Sequence, residues 1–404
     1  MNFEIKHNLC SNLFTINSDV KNITNFEIKK IKMRKVFYDL YLKTCKEKSK
    51  IDRKNITKYW DKAKRETNPY EYINILGTNI LIEENKDIFN KKINKYYRGK
   101  IIPLSRAFFK MIEIYNRIDL IPLQYKKNKG VIANIAEGPG GFIEALYKKR
   151  SVKKIYDVFH AITLQARGKH IPGWEQFYKR RKKFINKNIF NLICGSIYDT
   201  KTIDNYISKF NKKKAWLVTC DGGFDCSKDF NNQEKNSRKI IYTEIIISLL
   251  IQEVNGTIVC KMFDLFTLFS VQLIFIITYF YDKVHIIKPV TSRPANSEKY
   301  IVATGFKGIN NSLKKKLLYQ IKLWDSNYRN IKQNEDLYFS NINVPATFVN
   351  KIKQINFSLT NEQIKYINLT VDYIQNNKKC KNNNKCKNNN NAKMWFYKNG
   401  VYFK

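Results

Sequence analysis

The sequence predicts an α/β domain with a mainly parallel sheet of seven strands, one of them reversed. Three observations predict it. Between about residues 105 and 307, short apolar runs alternate with helical patterns, the order of a sheet covered by helices on both faces. A glycine-rich turn, Glu137-Gly-Pro-Gly-Gly-Phe142, joins the first of these runs to a helix. The last two runs follow one another without a helix between them, so they pair antiparallel.

In chain order, a helix over 105–118 precedes a strand at Val131–Ala136, and the glycine turn leads into a helix over Phe142–Lys149. Strands follow at 154–163, 189–194 and 215–220. A long helix spans 237–254, with Gly256 as its stop signal. Then come strand 257–262, helix 267–279, strand 284–288 and strand 299–304. The run Leu265–Tyr281 has the apolarity of a membrane span. It is short, contains Thr267, Ser270, Gln272 and Thr278, and falls inside the alternating pattern, so it reads as a buried helix.

This region, 101–310, is flanked by two extensions. Residues 1–100 are basic and read as mostly helical, with helical periodicity around Ile28–Leu42 and a basic, tyrosine-bearing segment at Lys91–Lys100. Residues 311–404 also read as mostly helical. Thr360-Asn-Glu-Gln363 has the pattern of a capping box that starts a helix to about 375. The tract 376–391 is low-complexity Asn/Lys and reads as disordered. The final stretch Met394–Phe403 is too aromatic for a free tail and should dock back on the domain.

Lys and Arg total 74 against 34 Asp and Glu, a formal charge of +40. Part of that excess follows a Lys/Asn/Ile-rich composition, but its size points to a polyanionic partner, nucleic acid above all. Eight scattered cysteines, three of them (Cys194, Cys220, Cys260) at the ends of core strands, fit a reduced intracellular protein rather than a disulfide scaffold. The four histidines form no Cys/His cluster of zinc spacing, so no metal is expected. The start, Met1-Asn-Phe-Glu-Ile-Lys-His7, has no apolar signal region, and no membrane partner is expected.

The glycine turn lies where a ligand can approach the backbone at the strand carboxyl ends. It is not G-x-G-x-x-G, because Ile143 stands three residues after Gly140, and no Lys-Ser/Thr phosphate loop occurs. A nucleotide-like cofactor without a pyrophosphate suits it better, and S-adenosyl-L-methionine fits. The plainer reading is a tight turn without a ligand.

Four ionisable residues stand in distinctive settings: Lys110 after Ser105-Arg-Ala-Phe-Phe, Asp221 before Gly222-Gly223, Lys261 at the end of an apolar strand, and Glu298 closing Ser292-Arg-Pro-Ala-Asn-Ser. Two lysines and two carboxylates at strand ends and on a helix suggest proton abstraction from a weakly acidic hydroxyl. A lysine acts as a base only when its ammonium pKa is lowered, by burial or a neighbouring cation. The plainer readings are a solvated Lys110, a turn-capping Asp221 and a surface Lys261–Glu298 pair.

These residues carry a resemblance. Over about 100–310 the chain resembles the FtsJ/RrmJ-type ribose 2′-O-methyltransferases, and within them the cap-specific mRNA branch. The match is close at 137–142, at Asp221-Gly-Gly-Phe-Asp225, and over Cys260–Thr267 through Lys288–Glu298, the last being specific to cap enzymes. The resemblance implies a Rossmann-like S-adenosylmethionine-dependent methyltransferase fold. It implies a catalytic tetrad of Lys110, Asp221, Lys261 and Glu298, with Lys261 as base. It implies cofactor contacts from Asn134, Glu137, Gly138, Pro139, Gly140, Gly141, Phe142, Ser196, Ile197 and Asp221. Three positions depart from the family: Asn134 and Ser196 stand where many relatives carry aspartate, and the strand ending at Thr163 offers no acid for the cofactor ribose. The Asn134/Glu137 pair is similar to the branch acting on the second transcribed nucleotide or its viral relatives, and the first nucleotide stays open.

The partner so implied is capped RNA, with other capping or transcription proteins beside it, in a nucleus, a cytoplasmic viral factory or a virion. Trp174–Phe184 interleaves aromatics with five consecutive cations, Lys179 to Lys183, a composition suited to single-stranded RNA. The expected RNA contacts are Arg106, Tyr178, Lys179, Arg180, Arg181, Arg293 and Asn296. The competing readings are rRNA or tRNA ribose methylation on the same fold, and a non-catalytic RNA-binding subunit of a capping complex.

Overall fold

The computed structural model describes residues 12–16, 27–32, 36–71, 73, 80–82, 103–167, 171–181, 186, 188–223, 230–328, 331–332, 335–376, 391–399 and 401–403. The segment Lys91–Lys100 and residues 377–390 of the Asn/Lys tract, with Cys380 and Cys386, lie outside the described residues.

The N-terminal part contributes β1 (Asn12–Ile16), β2 (Ile28–Lys32), α1 (Tyr38–Lys48), α2 (Lys54–Glu66) and β3 (Ile80–Ile82). The middle of the chain alternates: α3 (Ala107–Arg117), β4 (Val131–Ile135), α4 (Gly141–Ser151), β5 (Val158–Thr163), α5 (Glu175–Arg181), β6 (Phe190–Cys194), α6 (Thr200–Ser208), β7 (Ala215–Cys220), α7 (Gln233–Ile251), β8 (Gln252–Met262), α8 (Leu268–Phe280), β9 (Tyr281–Lys288) and β10 (Lys299–Phe306). After it come α9 (Asn311–Tyr328), β11 (Glu335–Phe339), α10 (Ala346–Gln375), α11 over 391–398 and β12 (Val401–Phe403).

The main sheet has the order β1-β9-β10-β8-β7-β4-β5-β6. Strands β6, β5, β4, β7 and β8 run parallel, and β10 is reversed between β8 and β9. These seven are the strands the sequence predicts. The eighth, β1, is a correction: it adds antiparallel to the outer edge of β9, with Asn12 opposite Lys288 and Ile16 opposite Val284. Every residue of β4 and β7 is buried, which is why both read as continuous apolar runs rather than alternating ones. One face packs against α6, α7 and α8, and the other against α3, α4 and α5. Almost all of α8 is buried, so its apolarity is that of a core helix, and among the described residues no helix is long and apolar enough to cross a membrane.

Several boundaries differ from the sequence expectation for identifiable reasons. The strand expected from 154 begins at Val158, because the Asp157 carboxylate is turned inward to accept from Gly130 N, Arg150 and the Trp216 indole. Gly256 does not end a helix. Helix α7 stops at Ile251 and β8 starts at the next residue, with Asn255 left-handed (φ 65°) and the register to β7 slipping between Ala215 and Leu217. The helical periodicity around 28–42 covers a strand, β2, and only then α1. Thr360 is no cap: it is buried midway along α10, which begins after Pro345, where fixed φ suits a helix entrance.

The termini close on each other. β2 pairs with β11 and β3 with β12, while α10 packs across α1 and α2 over a small core of Ile51, Ile56, Trp60, Ile367 and Val371. The aromatic end docks as its composition suggests. Trp395 and Phe396 of α11 are buried, with rings 5.8 and 6.2 Å from that of Phe109.

β4 is the point where strand order reverses: β5 and β6 lie to one side, β7 and β8 to the other. The turns leaving β4 and β7 therefore diverge and leave a crevice at the strand carboxyl ends, where open α/β sheets bind ligands.

Candidate active site

An open cleft of about 800 Å³ occupies that crevice, and all four tetrad residues line it. The register explains how they meet. Cys220 pairs with Cys260 on parallel β7 and β8, so Asp221 and Lys261 leave adjacent strand ends side by side. Lys261 in turn lies opposite Tyr300 on antiparallel β10, with Glu298 just before it. Lys110 comes down from the first turn of α3.

The four charges form two close pairs. Lys110 Nζ is 2.6 Å from Glu298 Oε1, and Lys261 Nζ is 3.3 Å from Asp221 Oδ1 and 2.7 Å from the Asp221 carbonyl oxygen. The Tyr300 hydroxyl joins the pairs, 3.0 Å from Asp221 Oδ1 and 3.2 Å from Glu298 Oε1. Tyr300 is fully buried and absent from the sequence expectation. Its signal was available: it stands two residues after Glu298, where the chain enters β10, and both hold an oxygen toward the same site.

Burial opposes charge on Glu298, but Lys110 first and Lys261 next hold its carboxyl at about 2. Burial likewise pulls Lys261 down, and Asp221, then Glu298 and Glu244, override it, so its pKa stands above the ordinary lysine value. This corrects the expectation of a base lowered by its surroundings: with carboxylates around it, Lys261 rests as an ammonium.

The motif Ser292–Glu298 is legible residue by residue. Ser292 Oγ donates to Glu298 Oε1 at 3.1 Å, and Lys288 Nζ donates to the carbonyl oxygens of Asn296 (2.7 Å) and Glu298 (3.0 Å). Burial, with Lys299 beside it, brings Lys288 down to about 7. The start of this loop is held by Glu113 of α3, which accepts from Val290 N, Thr291 N and Thr291 Oγ1 at 3.0–3.3 Å. The Trp395 indole of α11 donates to the same carboxylate at 3.3 Å. Burial raises Glu113 to about 7.

The residues expected at the cofactor divide. Gly138, Pro139, Ser196, Ile197 and Asp221 line the cleft, joined by Thr163, Leu164 and Tyr198, which the sequence reading did not assign. Thr163 Oγ1 accepts from Gly138 N at 3.1 Å and braces the glycine turn. Asn134, Glu137, Gly140, Gly141 and Phe142 do not line it. Phe142 is fully buried, its ring 5.7 Å from that of Tyr300. Gly140 is left-handed (φ 102°), and a Cβ there would meet the Phe177 ring at 2.7 Å, so its bare side faces the core. Asn134 and Glu137 sit behind the turn, bridged by Thr219 Oγ1 at 2.6 and 2.7 Å. Burial, with Asp221 near, raises Glu137 well above the ordinary carboxylate value. Asn134 Oδ1 and Glu137 Oε1 have no hydrogen-bond partner among the described residues. A cleft of this size with unspent polar groups behind a glycine turn fits a nucleoside-sized cofactor.

The RNA residues also divide. Arg106 and Asn296 line the cleft. Arg293 lies beside Arg106, both bonded to Glu71. Tyr178, Lys179 and Arg180 are exposed on α5 but do not line the cleft, and the side chain of Arg181 and residues 182–185 lie outside the described residues. Trp174 and Phe177 are buried in the core, so these two rings offer no surface for base stacking.

The model of the FtsJ-like methyltransferase family matches residues 103–306. The chain is 32% identical over 183 residues to the cap-specific mRNA (nucleoside-2′-O-)-methyltransferase 1 of Bos taurus, covering 43% of this chain and 21% of that protein. The protein of the same name from Trypanosoma cruzi is 31% identical over 186 residues, 45% of this chain and 50% of its own length. That from Caenorhabditis elegans is 27% identical over 257 residues, 60% of this chain and 27% of its own. The chain thus spans half or less of the length of these relatives.

Proposed function

The chain belongs to the FtsJ-like methyltransferase family, and on that premise we propose that it is a ribose 2′-O-methyltransferase of mRNA, acting beside the 5′ cap with S-adenosyl-L-methionine as donor. The observation that carries the reading is the Lys110–Glu298 and Asp221–Lys261 pairs meeting in the switch-point cleft. The names of the relatives support the cap as the place of action.

The donor, when bound, supplies a methyl group on a positively charged sulfur. Gly138, Pro139, Ser196 and Ile197 would hold it, with Asn134 and Glu137 behind. Lys261 would face the ribose hydroxyl and accept its proton as the oxygen gains the methyl carbon. It must first be neutral, and a second cation brought into the cleft favours that form. Asp221 orients Lys261, while Glu298 and Lys110 hold each other and the Tyr300 hydroxyl links the two pairs. A group fixed within hydrogen-bond reach contributes about 10²–10⁴-fold as a general base.

We take 101–310 as the methyltransferase domain and 1–100 and 311–404 as its extensions. The substrate fits a compartment where capped RNA is made, a nucleus or a viral factory, with capping or transcription proteins as neighbours.

Methyl transfer to a short capped RNA against the same RNA uncapped tests the reading. Transfer to the capped RNA with product at a ribose 2′-oxygen supports it. Equal transfer to both favours the rRNA or tRNA alternative, and RNA binding without transfer favours a non-catalytic subunit.

A further inference from the structure

A carboxylate from the N-terminal extension stands at the lip of the cleft between two arginines. Glu71 follows α2 in a short turn. Both of its oxygens lie 2.8 Å from Arg106 Nη1, and Arg293 reaches it through Nη2 at 3.1 Å and Nε at 3.4 Å. Arg106 Nη2 also donates to the Thr291 carbonyl oxygen at 3.0 Å. Asn68, itself buried, donates to Glu71 Oε2 at 2.8 Å and accepts from Tyr70 N at 3.1 Å, so the carboxylate is fixed from behind. The Glu71 side chain is 8% exposed, while those of both arginines are 26% exposed. The more deeply buried member is the anion, and the arginine side chains are the part-exposed ones. Arg106 lines the cleft with Lys110 and Glu298.

Two guanidiniums repel each other unless an anion lies between them. A rigid, buried carboxylate holds them together and sets the planes in which their remaining N–H groups point. A pair of oriented arginines takes a phosphate in fixed geometry, as a lone lysine does not. Contacts of this kind position a nucleic-acid backbone without reading its bases. Beside Lys110, they would set where one ribose lies relative to Lys261.

We propose that Glu71 is a positioning residue for RNA, holding Arg106 and Arg293 as a clamp for a backbone phosphodiester at the mouth of the active-site cleft. The proposal rests on RNA being the substrate. It gives the N-terminal extension a part in placing that substrate.

The test uses the full chain and a short capped RNA, with equilibrium RNA binding measured separately from methyl transfer. Glu71→Gln keeps size and removes the charge. The expected result is RNA binding weakened about tenfold, the loss of one charge-assisted contact. KM for RNA rises in step, kcat at saturating RNA stays within about threefold because the phosphate contact is made equally in the ground and transition states and excess RNA restores occupancy, and cofactor affinity is unchanged. Glu71→Asp, which keeps the charge, recovers part of the loss. Tighter RNA binding by Glu71→Gln overturns the proposal, because the carboxylate would then compete with RNA for the arginines. Unchanged RNA affinity with a lower melting temperature overturns it too, leaving only a tie between chain segments. Should Glu71→Gln not fold, Arg293→Lys keeps the charge and loses the fork, and unaltered RNA binding in that variant overturns the proposal. A wild-type protein that binds the RNA but transfers no methyl would remove the proposed activity and leave the clamp to stand or fall on the binding data.

Discussion

The ammonium of Lys261 touches Asp221 twice, 2.7 Å from its carbonyl oxygen and 3.3 Å from its carboxylate. The backbone contact fixes Lys261 at the end of β7 whatever the charge of the side chain it faces. It also explains Gly223, where a Cβ would meet Lys261 Nζ at 2.9 Å. Any larger residue there would push the lysine off its perch.

Lys261→Met should abolish methyl transfer and leave cofactor affinity nearly intact, because the proton acceptor goes and the glycine turn stays. The expected loss is about 10²–10⁴-fold. Single-turnover rates above a tenth of wild type would exclude Lys261 as the base.

The carboxylates around Lys261 hold its proton, so the free enzyme should be a better catalyst at higher pH. kcat/KM is expected to rise about tenfold per pH unit from neutrality towards pH 9, without a plateau, as the neutral lysine is populated. A flat profile over that range would mean that transfer does not need neutral Lys261.

Tyr300→Phe keeps the ring against Phe142 and removes the hydroxyl that joins Asp221 to Glu298. Hydrogen bonds to charged groups contribute about 1.5–3 kcal/mol to stability, so the melting temperature should fall by a few degrees, and kcat should fall because Asp221 and Glu298 lose the hydroxyl that links them. A wild-type rate would make Tyr300 a packing residue only.

Gly140→Val should lower stability before it touches the cofactor. The added atoms meet Phe177 rather than the cleft, at a left-handed φ that a β-branched residue rarely adopts. Thermal melting should show a loss of several degrees. A variant that melts like wild type yet fails to bind S-adenosylmethionine would place Gly140 at the ligand after all.

Glu113 is held at about 7 in the fold against 4.5 in a free chain. Between those values the folded state binds the extra proton, so this group's support is present at low pH and is lost as pH rises through the window. The difference corresponds to about 3 kcal/mol. Glu113→Gln has no such term. The melting-temperature advantage of wild type over the variant should therefore shrink from pH 4.5 to pH 7.5, and a constant difference would count against the shift.

Much of this site is legible in the chain because its residues sit at strand ends with short-range signatures. Asp221 before two glycines and Glu298 at the end of a seven-residue motif announce themselves, and strand alternation places them at one end of the sheet. Directions were harder to read. Nothing local says that the open side of Gly140 faces Phe177, or that Phe142 turns into the core, since both depend on how α4 and α5 pack. Tyr300 hides inside an apolar strand, where an aromatic residue needs no other explanation. Glu71 meets its arginines across 35 and 222 residues, beyond the reach of any local pattern. The same distance hides β1, whose five residues find their partner only in the finished sheet.

That pairing of β1 with β9 constrains how the chain is made. Thr15 lies against His285, 270 residues later. At ~5–20 residues per second, synthesis separates the two by roughly 15–50 s. Throughout that interval the nascent chain carries β1 unpaired, and when β9 emerges its outer edge is open until β1 returns to it. An uncovered edge of this kind is a template for pairing with other chains. β1 is therefore a cover for a strand made far later, and removing it should cost solubility during expression before it costs chemistry.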